Sequence, residues 1–367
     1  MGLSVMNLWF GKEECKMQDR AVLRLMTLGT VLAFAMATGI VAPPAEAQGV
    51  ITLQGAGATF PAPLYTKWFY EYNKANPKVR INYQGIGSGG GIKAIAARTV
   101  DFGASDAPLS ASERASMPGP VIQIPTVGGA VALAYNLSLD RQLRLTPEVL
   151  AGIYLGQITR WNDPKIQAIN PGASLPNQAI TVVHRSDGSG TTFLFTQYLS
   201  AVSPTWKSQV GCAKEVNWPV GQGGKGNPGV AGLVKQIRGA IGYMEAAYAV
   251  QNKLPVALLK NRAGQFVGPT VAATTAAIQG ALQRLTKDLA APVVNASGAK
   301  AYPIAGLTFV IVYKNQPDPV RGKALVDLLK WMMGPGQKYA SPLHYAPLPQ
   351  ALLQQNMGLI AQISVGG

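Results

Sequence analysis

The spacing of apolar residues along this chain switches repeatedly between strand-like and helix-like periods. Short apolar runs typical of strands occur at 49–53, 79–83, 100–105 and 179–184. Between the first two runs, Leu64, Trp68 and Tyr72 recur every four residues, behind Pro61 and ahead of Pro77. That spacing predicts an amphipathic helix. Because strands and helices alternate in this way, the sequence predicts an α/β fold.

The same periodicity predicts further helices along the chain. Helical spacing is found at 92–98, 150–161 and 193–199. A last helix is sharply delimited, because Asp318 can cap it, Pro319 suits its first position and Gly334 with Pro335 ends it. Its apolar stripe consists of Leu325, Leu328, Leu329 and Met332.

Three other stretches have a less regular pattern. The segment from Val121 to Tyr135 is apolar but interrupted by Gly128 and Gly129, which predicts extended segments that cross between domains. Proline and glycine cluster at 171–176 and at 221–229, and both clusters are predicted to be loops.

The N-terminal segment has the order of features of a secretory signal peptide. Arg20 and Arg24 precede an apolar run from Leu25 to Val41, and the small-residue sequence Ala45-Glu46-Ala47 follows. Residues 1–47 are therefore predicted to be cleaved before Gln48. Translation from Met6 or Met17 and an uncleaved anchor stay open as alternatives, although the run is short for a membrane span.

The charge and length of the mature chain bound its class. Residues 1–47 hold four basic and four acidic residues, so the remaining 320 residues (367 minus 47) keep the full net charge of +15. That length predicts two domains. The basic residues are scattered without a Lys/Arg-rich run, which argues against a nucleic-acid partner and favours a mild attraction for anions. Cys212 is the one cysteine after cleavage, and it is interpreted as a small buried thiol.

Two short motifs place hydroxyls and glycines immediately ahead of predicted helices. The first is Gly57-Ala58-Thr59-Phe60-Pro61, and the second is Arg185-Ser186-Asp187-Gly188-Ser189-Gly190-Thr191-Thr192. A helix start offers unpaired N–H groups and the positive end of the helix dipole, so each motif can cradle an anion. We call them the first and second cradles. A chain with two such cradles is predicted to enclose a small oxyanion.

A third glycine-rich motif admits a different function. Gly85-Ile86-Gly87-Ser88-Gly89-Gly90 matches G-x-G-x-x-G between a strand and a helix, with Asp106 about twenty residues on, as in dinucleotide-binding folds. An exported protein has little access to soluble nicotinamide cofactors, and this interpretation leaves the second cradle unexplained. We therefore interpret Ser88 as a further hydroxyl donor at a helix start. A plain tight turn is the structural alternative.

Enzymatic chemistry finds little support in the sequence. Ser189 as a nucleophile would need a base, and the chain offers only His184 and His344, without a G-x-S-x-G motif. Two histidines and one mature cysteine do not make a metal site. Arg185 and Asp187 admit a simpler interpretation as a surface ion pair, and Asp106 as a turn cap. An acidic side chain among groups that donate hydrogen bonds to an anion, however, can accept a hydrogen bond from the proton of a protonated oxyanion.

Taken together, the motifs resemble one family closely. They are 55–63, 83–88, 100–110, 153–156, 187–191, 223–227 and 239–243. This combination is similar to the periplasmic phosphate-binding proteins of bacterial phosphate-specific ABC transporters. The resemblance implies a type II periplasmic-binding-protein fold with two lobes, a hinge and an interdomain ligand cleft. It implies a first lobe of residues 48–126 and 303–367 and a second lobe of residues 127–302.

The resemblance also implies which residues contact phosphate. They are Ala58, Thr59, Phe60, Ser88, Asp106, Arg185, Ser189, Gly190 and Thr191. The hydroxyls and the backbone N–H groups of Phe60, Gly190 and Thr191 would donate to the anion, and Arg185 would supply charge. Asp106 would accept from the phosphate proton, while Asp187 would hold Arg185 in place.

The sequence therefore predicts a monomeric, non-enzymatic, high-affinity receptor for inorganic phosphate. It would act in the periplasm, without a cofactor or metal, and deliver its ligand to the transmembrane permease subunits of an ABC transporter. A binding protein for arsenate is the first alternative. An exported phosphatase using Ser189 and a dinucleotide-binding oxidoreductase are alternatives from other classes.

Overall fold

The computed structural model describes residues 49–366 of the chain. Its strands in chain order are β1 Ile51–Gly57, β2 Val79–Gly85, β3 Phe102–Ser105, β4 Val121–Tyr135, β5 Arg144–Leu145, β6 Thr181–Arg185, β7 Gln222–Gly224, β8 Ala240–Glu245, β9 Leu258–Lys260, β10 Phe266–Val267, β11 Ala305–Tyr313, β12 Asn315–Gln316 and β13 Ser364–Val365. Its helices are α1 Ala62–Ala75, α2 Ser88–Ala96, α3 Ala111–Ala115, α4 Pro147–Tyr154, α5 Pro164–Ile169, α6 Gly190–Val202, α7 Pro204–Gln209, α8 Gly226–Gln236, α9 Ala246–Gln251, α10 Val271–Leu285, α11 Pro319–Met333 and α12 Gln350–Ile360.

One mixed eight-stranded sheet organises the fold. Its strand order is β2-β1-β3-β11-β4-β8-β6-β7. The strands on each flank are parallel to their neighbours, whereas β11 and β4 run antiparallel to the strands beside them. Smaller sheets are formed by β10-β9-β5 and by β12-β13. The α/β class predicted from the alternating periodicity is confirmed.

The long strand β4 belongs to both parts of the main sheet. Its residues from Val121 to Ala130 pair with β11, and those from Val131 to Tyr135 pair with β8. The fold is the two-lobed type II arrangement, with β4 continuous between its two halves. The lobe limits at residues 126 and 303 stay predictions.

Gly128 and Gly129 do not interrupt β4, contrary to the predicted break. Both pair with β11, close to a register shift that lies between Thr308 and Phe309 of that strand. They are glycines because neighbouring side chains pack against the backbone there. A Cβ at Gly128 would lie 2.3 Å from Cδ1 of Ile278, and one at Gly129 would lie 2.4 Å from Cε1 of Phe60.

The predicted helices at both ends of the described chain are confirmed. Leu64, Trp68 and Tyr72 lie on the buried face of α1. Asp318 caps α11 by accepting hydrogen bonds from two backbone N–H groups, at 2.9 and 3.0 Å. The predicted apolar stripe of α11 is buried, and Gly334 ends the helix.

Three sequence-based interpretations are wrong. The helix predicted at 150–161 ends at Tyr154, because Gly156 adopts a φ of +72°. The apolar residues that follow Gly156 lie in a turn or loop and not in a helix. The loop predicted at 221–229 instead contains β7 and the start of α8. Cys212 is exposed, although its small apolar character predicted burial.

Two further observations concern the membrane. Among residues 49–366, every helix is too short or too polar to serve as a bilayer span. The predicted signal peptide, residues 1–47, lies outside the described residues, as do the alternative start positions Met6 and Met17.

Candidate functional site

The first cradle is the turn between β1 and α1. Gly57 ends β1 with a φ of +146°, and a Cβ there would lie 2.1 Å from the carbonyl oxygen of Ala104, so only glycine fits. The N–H of Ala58 donates to that same carbonyl at 2.9 Å. Thr59 and Phe60 follow and are buried at the start of α1. This sequence therefore folds into a tight strand-to-helix turn that presents a helix N-terminus.

Ser88 and Asp106 lie beside this turn on neighbouring elements. Ser88 is the first residue of α2, preceded by Gly87 with a φ of +85°, and Asp106 directly follows β3. The Ser88 hydroxyl oxygen accepts hydrogen bonds from the N–H of Asp106 at 3.3 Å and from the N–H of Gly190 at 3.0 Å. Ser88 thus joins the residue that follows β3 to the second cradle.

The second cradle is the turn between β6 and α6. Ser189 caps α6, and its hydroxyl oxygen accepts from the N–H of Thr192 at 3.0 Å. Gly190 and Thr191 form the first turn of the helix and are buried. A Cβ at Gly190 would lie 2.5 Å from Cβ of Asp106, so only glycine allows the second cradle to approach Asp106 this closely.

Arg185 provides the cation of the site, and Asp187 holds it. The Arg185 Nε and Nη2 atoms donate to the two carboxylate oxygens of Asp187 at 2.7 and 2.5 Å. The Arg185 side chain is 1% exposed, so the pair is not the surface ion pair of the simpler interpretation. Burial tends to raise the pKa of the Asp187 carboxyl, but the hydrogen bonds and charge of Arg185 bring it below its usual range. Asp187 therefore remains a carboxylate that fixes the guanidinium.

Asp106 is a buried carboxyl in the same site. It is 2% exposed, and its Oδ1 accepts a hydrogen bond from the Thr308 hydroxyl on β11 at 2.7 Å. Burial raises the pKa of Asp106 to about 7, against the lowering effects of Thr308, of the Arg185 charge and of Ser88. Near neutral pH this side chain can therefore act as a proton acceptor or as a proton donor.

The structure brings the predicted site residues together from both cradles. The N–H of Gly89 donates to the carbonyl of Gly188 at 2.9 Å, which joins the α2 and α6 turns directly. Lys214, near the second cradle, makes a 2.7 Å ion pair with Glu113 of α3. The glycine-rich motif that resembled a dinucleotide loop therefore packs against the second cradle.

The alternative enzymatic interpretation receives no geometric support. The His184 ring stacks on Trp218 with centroids 4.8 Å apart, and its Nδ1 lies 3.0 Å from the carbonyl oxygen of Arg185. The described contacts of Ser189 are with backbone N–H groups and carbonyls, not with a histidine. A serine nucleophile needs a base within hydrogen-bond reach, and His184 is engaged elsewhere.

The comparisons with known proteins decide the family. A family model described as "PBP superfamily domain" matches residues 42–335. The phosphate-binding protein PstS of Xylella fastidiosa (strain 9a5c) is 47% identical over 315 residues, which cover 85% of this chain and 86% of the relative. The chain belongs to the PstS family of phosphate-binding proteins. The archaeal PstS of Methanocaldococcus jannaschii is 41% identical, with 82% of each chain covered.

Solved structures similar to this PstS-family chain have the same fold. A high-affinity periplasmic phosphate-binding protein, PfluDING, solved with bound phosphate, is 26% identical with a TM-score of 0.66, covering 83% of this chain and 92% of its own. A putative phosphate ABC transporter substrate-binding protein from Clostridium perfringens is 18% identical with a TM-score of 0.58, covering 81% of this chain and 100% of its own. The similarity to the Clostridium perfringens protein supports the fold alone.

Several residues of the site were missed by the sequence analysis. Asn227 of α8 donates hydrogen bonds to the hydroxyls of Thr59 and Thr191, and the Tyr248 hydroxyl donates to the Thr59 carbonyl at 2.6 Å. Thr308 was missed because it lies in an apolar strand 202 residues from its partner Asp106. For Asn227 a signal existed, since it ends the 223–227 motif, but that stretch was interpreted as a loop.

Proposed function

We propose that this chain binds inorganic phosphate outside the cytoplasm and delivers it to an ABC transporter that imports phosphate. The observation that carries the proposal is the juxtaposition of two helix N-terminal turns, one with a buried carboxyl and the other with a buried arginine. The residues proposed to contact the ligand are Ala58, Thr59, Phe60, Ser88, Asp106, Arg185, Ser189, Gly190 and Thr191. Membership of the PstS family supports the same conclusion.

The chemistry of the set suits a protonated, tetrahedral oxyanion. Hydroxyls and helix N-terminal N–H groups donate to anionic oxygens, and a planar guanidinium adds charge and two-pronged geometry. Asp106 can accept a hydrogen bond from the proton that phosphate retains near neutral pH. Sulfate has no such proton, so its oxygen would face the carboxylate directly.

We propose a binding role without catalysis. The relatives and solved neighbours carry the names of binding and substrate-binding proteins. The Ser189 hydroxyl accepts the capping hydrogen bond of α6, and His184 contacts Trp218 and the Arg185 carbonyl, so neither is arranged for nucleophilic attack.

The proposed place of action is the periplasm, and the proposed partners are the permease subunits of the transporter. The order of charge, apolar run and small residues in 1–47 supports export, and one solved neighbour is described as periplasmic. We propose that the mature chain works as a monomer that closes its two lobes around the ligand. Phosphate that binds the closed form better must shift the population toward it.

Titration of the purified mature chain, residues 48–367, tests the proposal. Calorimetry with phosphate, arsenate and sulfate should give tight binding of phosphate and no measurable binding of sulfate. Arsenate bound more tightly than phosphate would favour the arsenate alternative. Phosphate binding that is absent, or release of product from a chromogenic phosphate ester that disappears in Ser189→Ala, would contradict the receptor function.

A further inference from the structure

Asn227 is a fully buried amide that contacts both cradles at once. Its Nδ2 atom donates to the Thr59 hydroxyl oxygen at 2.8 Å and to the Thr191 hydroxyl oxygen at 3.1 Å. Its backbone N–H, in the first turn of α8, also donates to Thr59 Oγ1 at 3.1 Å. One residue of α8 therefore bridges a hydroxyl beside β1 and a hydroxyl on α6.

The orientation of this amide is fixed by a neighbour. The backbone N–H of Glu245 approaches the other end of the Asn227 side chain at 2.9 Å. A backbone N–H can only donate, so the atom it meets must be the amide oxygen, and the amide nitrogen must face the two threonines. Glu245 and Asn227 are both fully buried, so water does not compete for these contacts.

This arrangement determines which way the two threonine protons point. Thr59 Oγ1 accepts from two N–H groups of Asn227, and Thr191 Oγ1 accepts from Asn227 Nδ2 and from Arg185 Nη1, the latter at 3.4 Å. A hydroxyl has two acceptor lone pairs and one proton. Both hydroxyls thus face donors only, and the contacts of residues 49–366 leave each with its own proton to give.

We infer that Asn227 is a positioning residue that makes Thr59 and Thr191 obligatory hydrogen-bond donors toward the bound anion. The inference deepens the proposed function and rests on it. Because both acceptor lone pairs are occupied, neither hydroxyl can rotate to accept from a neutral or cationic ligand without losing a buried hydrogen bond. Asn227 also ties the two cradles together at the level of their hydroxyls, which favours one geometry for a tetrahedral anion.

Two substitutions at this position separate orientation from packing. Asn227→Leu keeps the branched outline of the side chain, although leucine is larger, and removes both the amide donor and the acceptor of the Glu245 N–H. Phosphate affinity should fall roughly tenfold, the equivalent of one lost hydrogen bond to the anion. Asn227→Asp keeps the acceptor for the Glu245 N–H but replaces the donor with a carboxylate oxygen. The threonine protons should then turn toward the new carboxylate, and affinity should fall roughly a hundredfold or more.

A double-mutant comparison distinguishes positioning from a structural role. In a Thr59→Val/Thr191→Val background, Asn227→Leu should lower phosphate affinity less than about threefold, because the hydroxyls it orients are gone. Asn170→Leu is the matched control. Asn170 is a buried amide that donates to two backbone carbonyls, those of Arg144 and Ile166, and shares no hydrogen-bond partner with the site. It should lower the urea midpoint and leave phosphate affinity unchanged.

Calorimetric titration with phosphate and urea unfolding of the ligand-free proteins provide the readouts. A tenfold loss that is the same in both backgrounds would overturn the inference, as would unchanged affinity in Asn227→Leu. If the wild-type chain itself fails to bind phosphate, the proposed function fails. If the wild type binds and only the Asn227 variants behave unexpectedly, the positioning role alone fails.

Discussion

The two cradles are built alike but carry opposite electrostatics. Each is a strand-to-helix turn, in which Gly57 allows the first and Gly190 allows close approach of the second. The first lies beside a buried carboxyl, Asp106, whose Oδ1 accepts a hydrogen bond from the Thr308 hydroxyl and which makes no ion pair within residues 49–366. The second contains Arg185, held in a two-pronged pair by Asp187. The backbone therefore forms two similar strand-to-helix turns. They differ in the charge of the side chain beside each, a carboxyl at the first and a guanidinium at the second.

This difference separates attraction of anions in general from discrimination between phosphate and sulfate. In the proposed function, Arg185 attracts anions generally, and its fork favours tetrahedral oxyanions over others. The charged form of Asp106 would repel an anion that has no proton to give, so it would reduce affinity for the wrong ligand without adding much for the correct one. We therefore expect changes at Asp106, beside the first cradle, to alter selectivity and changes in the second cradle to alter affinity. The following experiments test that division.

Replacing Asp106 should have the largest effect, on selectivity. Like charges at about 4 Å and an effective dielectric near 20 repel by roughly 4 kcal/mol, around a thousandfold in binding. Asp106→Asn removes this repulsion and offers an amide donor. Because sulfate can also bind the protonated form of wild-type Asp106, whose pKa is about 7, discrimination against sulfate should shrink by roughly a hundredfold at pH 9 and by less nearer neutral pH. Competition titration of sulfate against phosphate measures it. Asp101→Asn, a surface carboxylate paired with Arg321, is the control. A variant that excludes sulfate as strongly as the wild type would show that Asp106 is not the selectivity element.

Replacing Arg185 should have the next largest effect, on affinity. Arg185→Lys keeps the charge but loses the fork, so one charge-assisted hydrogen bond to the anion is lost at about 1.5–3 kcal/mol. Phosphate affinity should fall roughly tenfold to a hundredfold, with the ratio of phosphate to sulfate binding unchanged. Arg321→Lys is the matched control, because Arg321 makes a similar pair with Asp101 on the surface. Equal losses for phosphate in both variants would indicate a general effect on the fold.

The pKa of Asp106 predicts a pH dependence of selectivity. Burial raises this pKa to about 7, so the carboxyl is charged at pH 8 and mostly protonated at pH 5.5. In the protonated form it can donate to a sulfate oxygen, and sulfate affinity should rise as the pH falls through 7, by roughly tenfold between pH 8 and 5.5 and only about twofold of that below pH 7. Sulfate titrations at pH 8, 7 and 5.5 measure this, with Asp106→Asn as a variant that should stay flat. A wild type as flat as the variant would contradict the raised pKa.

The ion pair between Lys214 and Glu113 should give the smallest effect. It joins the loop after α7 to α3, and both side chains are partly exposed, so its contribution is about 0.5 kcal/mol and is screened by salt. Glu113→Gln should weaken phosphate binding about twofold at low salt and not at all near 1 M. Asp327→Asn breaks the Lys323–Asp327 pair within α11 and should not change affinity at either salt concentration. A salt-independent loss in Glu113→Gln would point to the helix cap that Glu113 also forms.

Apolar spacing and capping residues correctly predicted the helices whose formation depends on neighbouring residues. The four-residue spacing of Leu64, Trp68 and Tyr72 and the Asp318-Pro319 cap both correspond to helices of the structure. The stretch 221–229 was misread because β7 is a three-residue strand with two glycines, ordered only by its pairing with β6. This strand forms because of tertiary contacts, which the strand propensity of its own residues does not predict.

The same distinction applies to the candidate site. Helix-start motifs made the two cradles visible in the sequence, because turn glycines and capping hydroxyls are local requirements. The partners that orient them were not visible. Asn227 reaches Thr59 across 168 residues and Thr308 reaches Asp106 across 202. Thr308 carries no motif of its own, and the motif that Asn227 ends was interpreted as a loop. Such partners are set by topology, so they emerge only when the chain is folded.

The continuous strand β4 has a consequence for the order in which the molecule can be assembled during synthesis. The strands β3 and β4 both need β11 between them, yet β11 begins 200 residues after β3 ends (305 minus 105). The central ladder of the sheet therefore cannot close until most of the chain has been made, and such distant pairing is slow to form. A chain built this way stays without its central strand until late in translation. That delay is compatible with the export proposed above, in which a polypeptide passes unfolded through a narrow translocation pore.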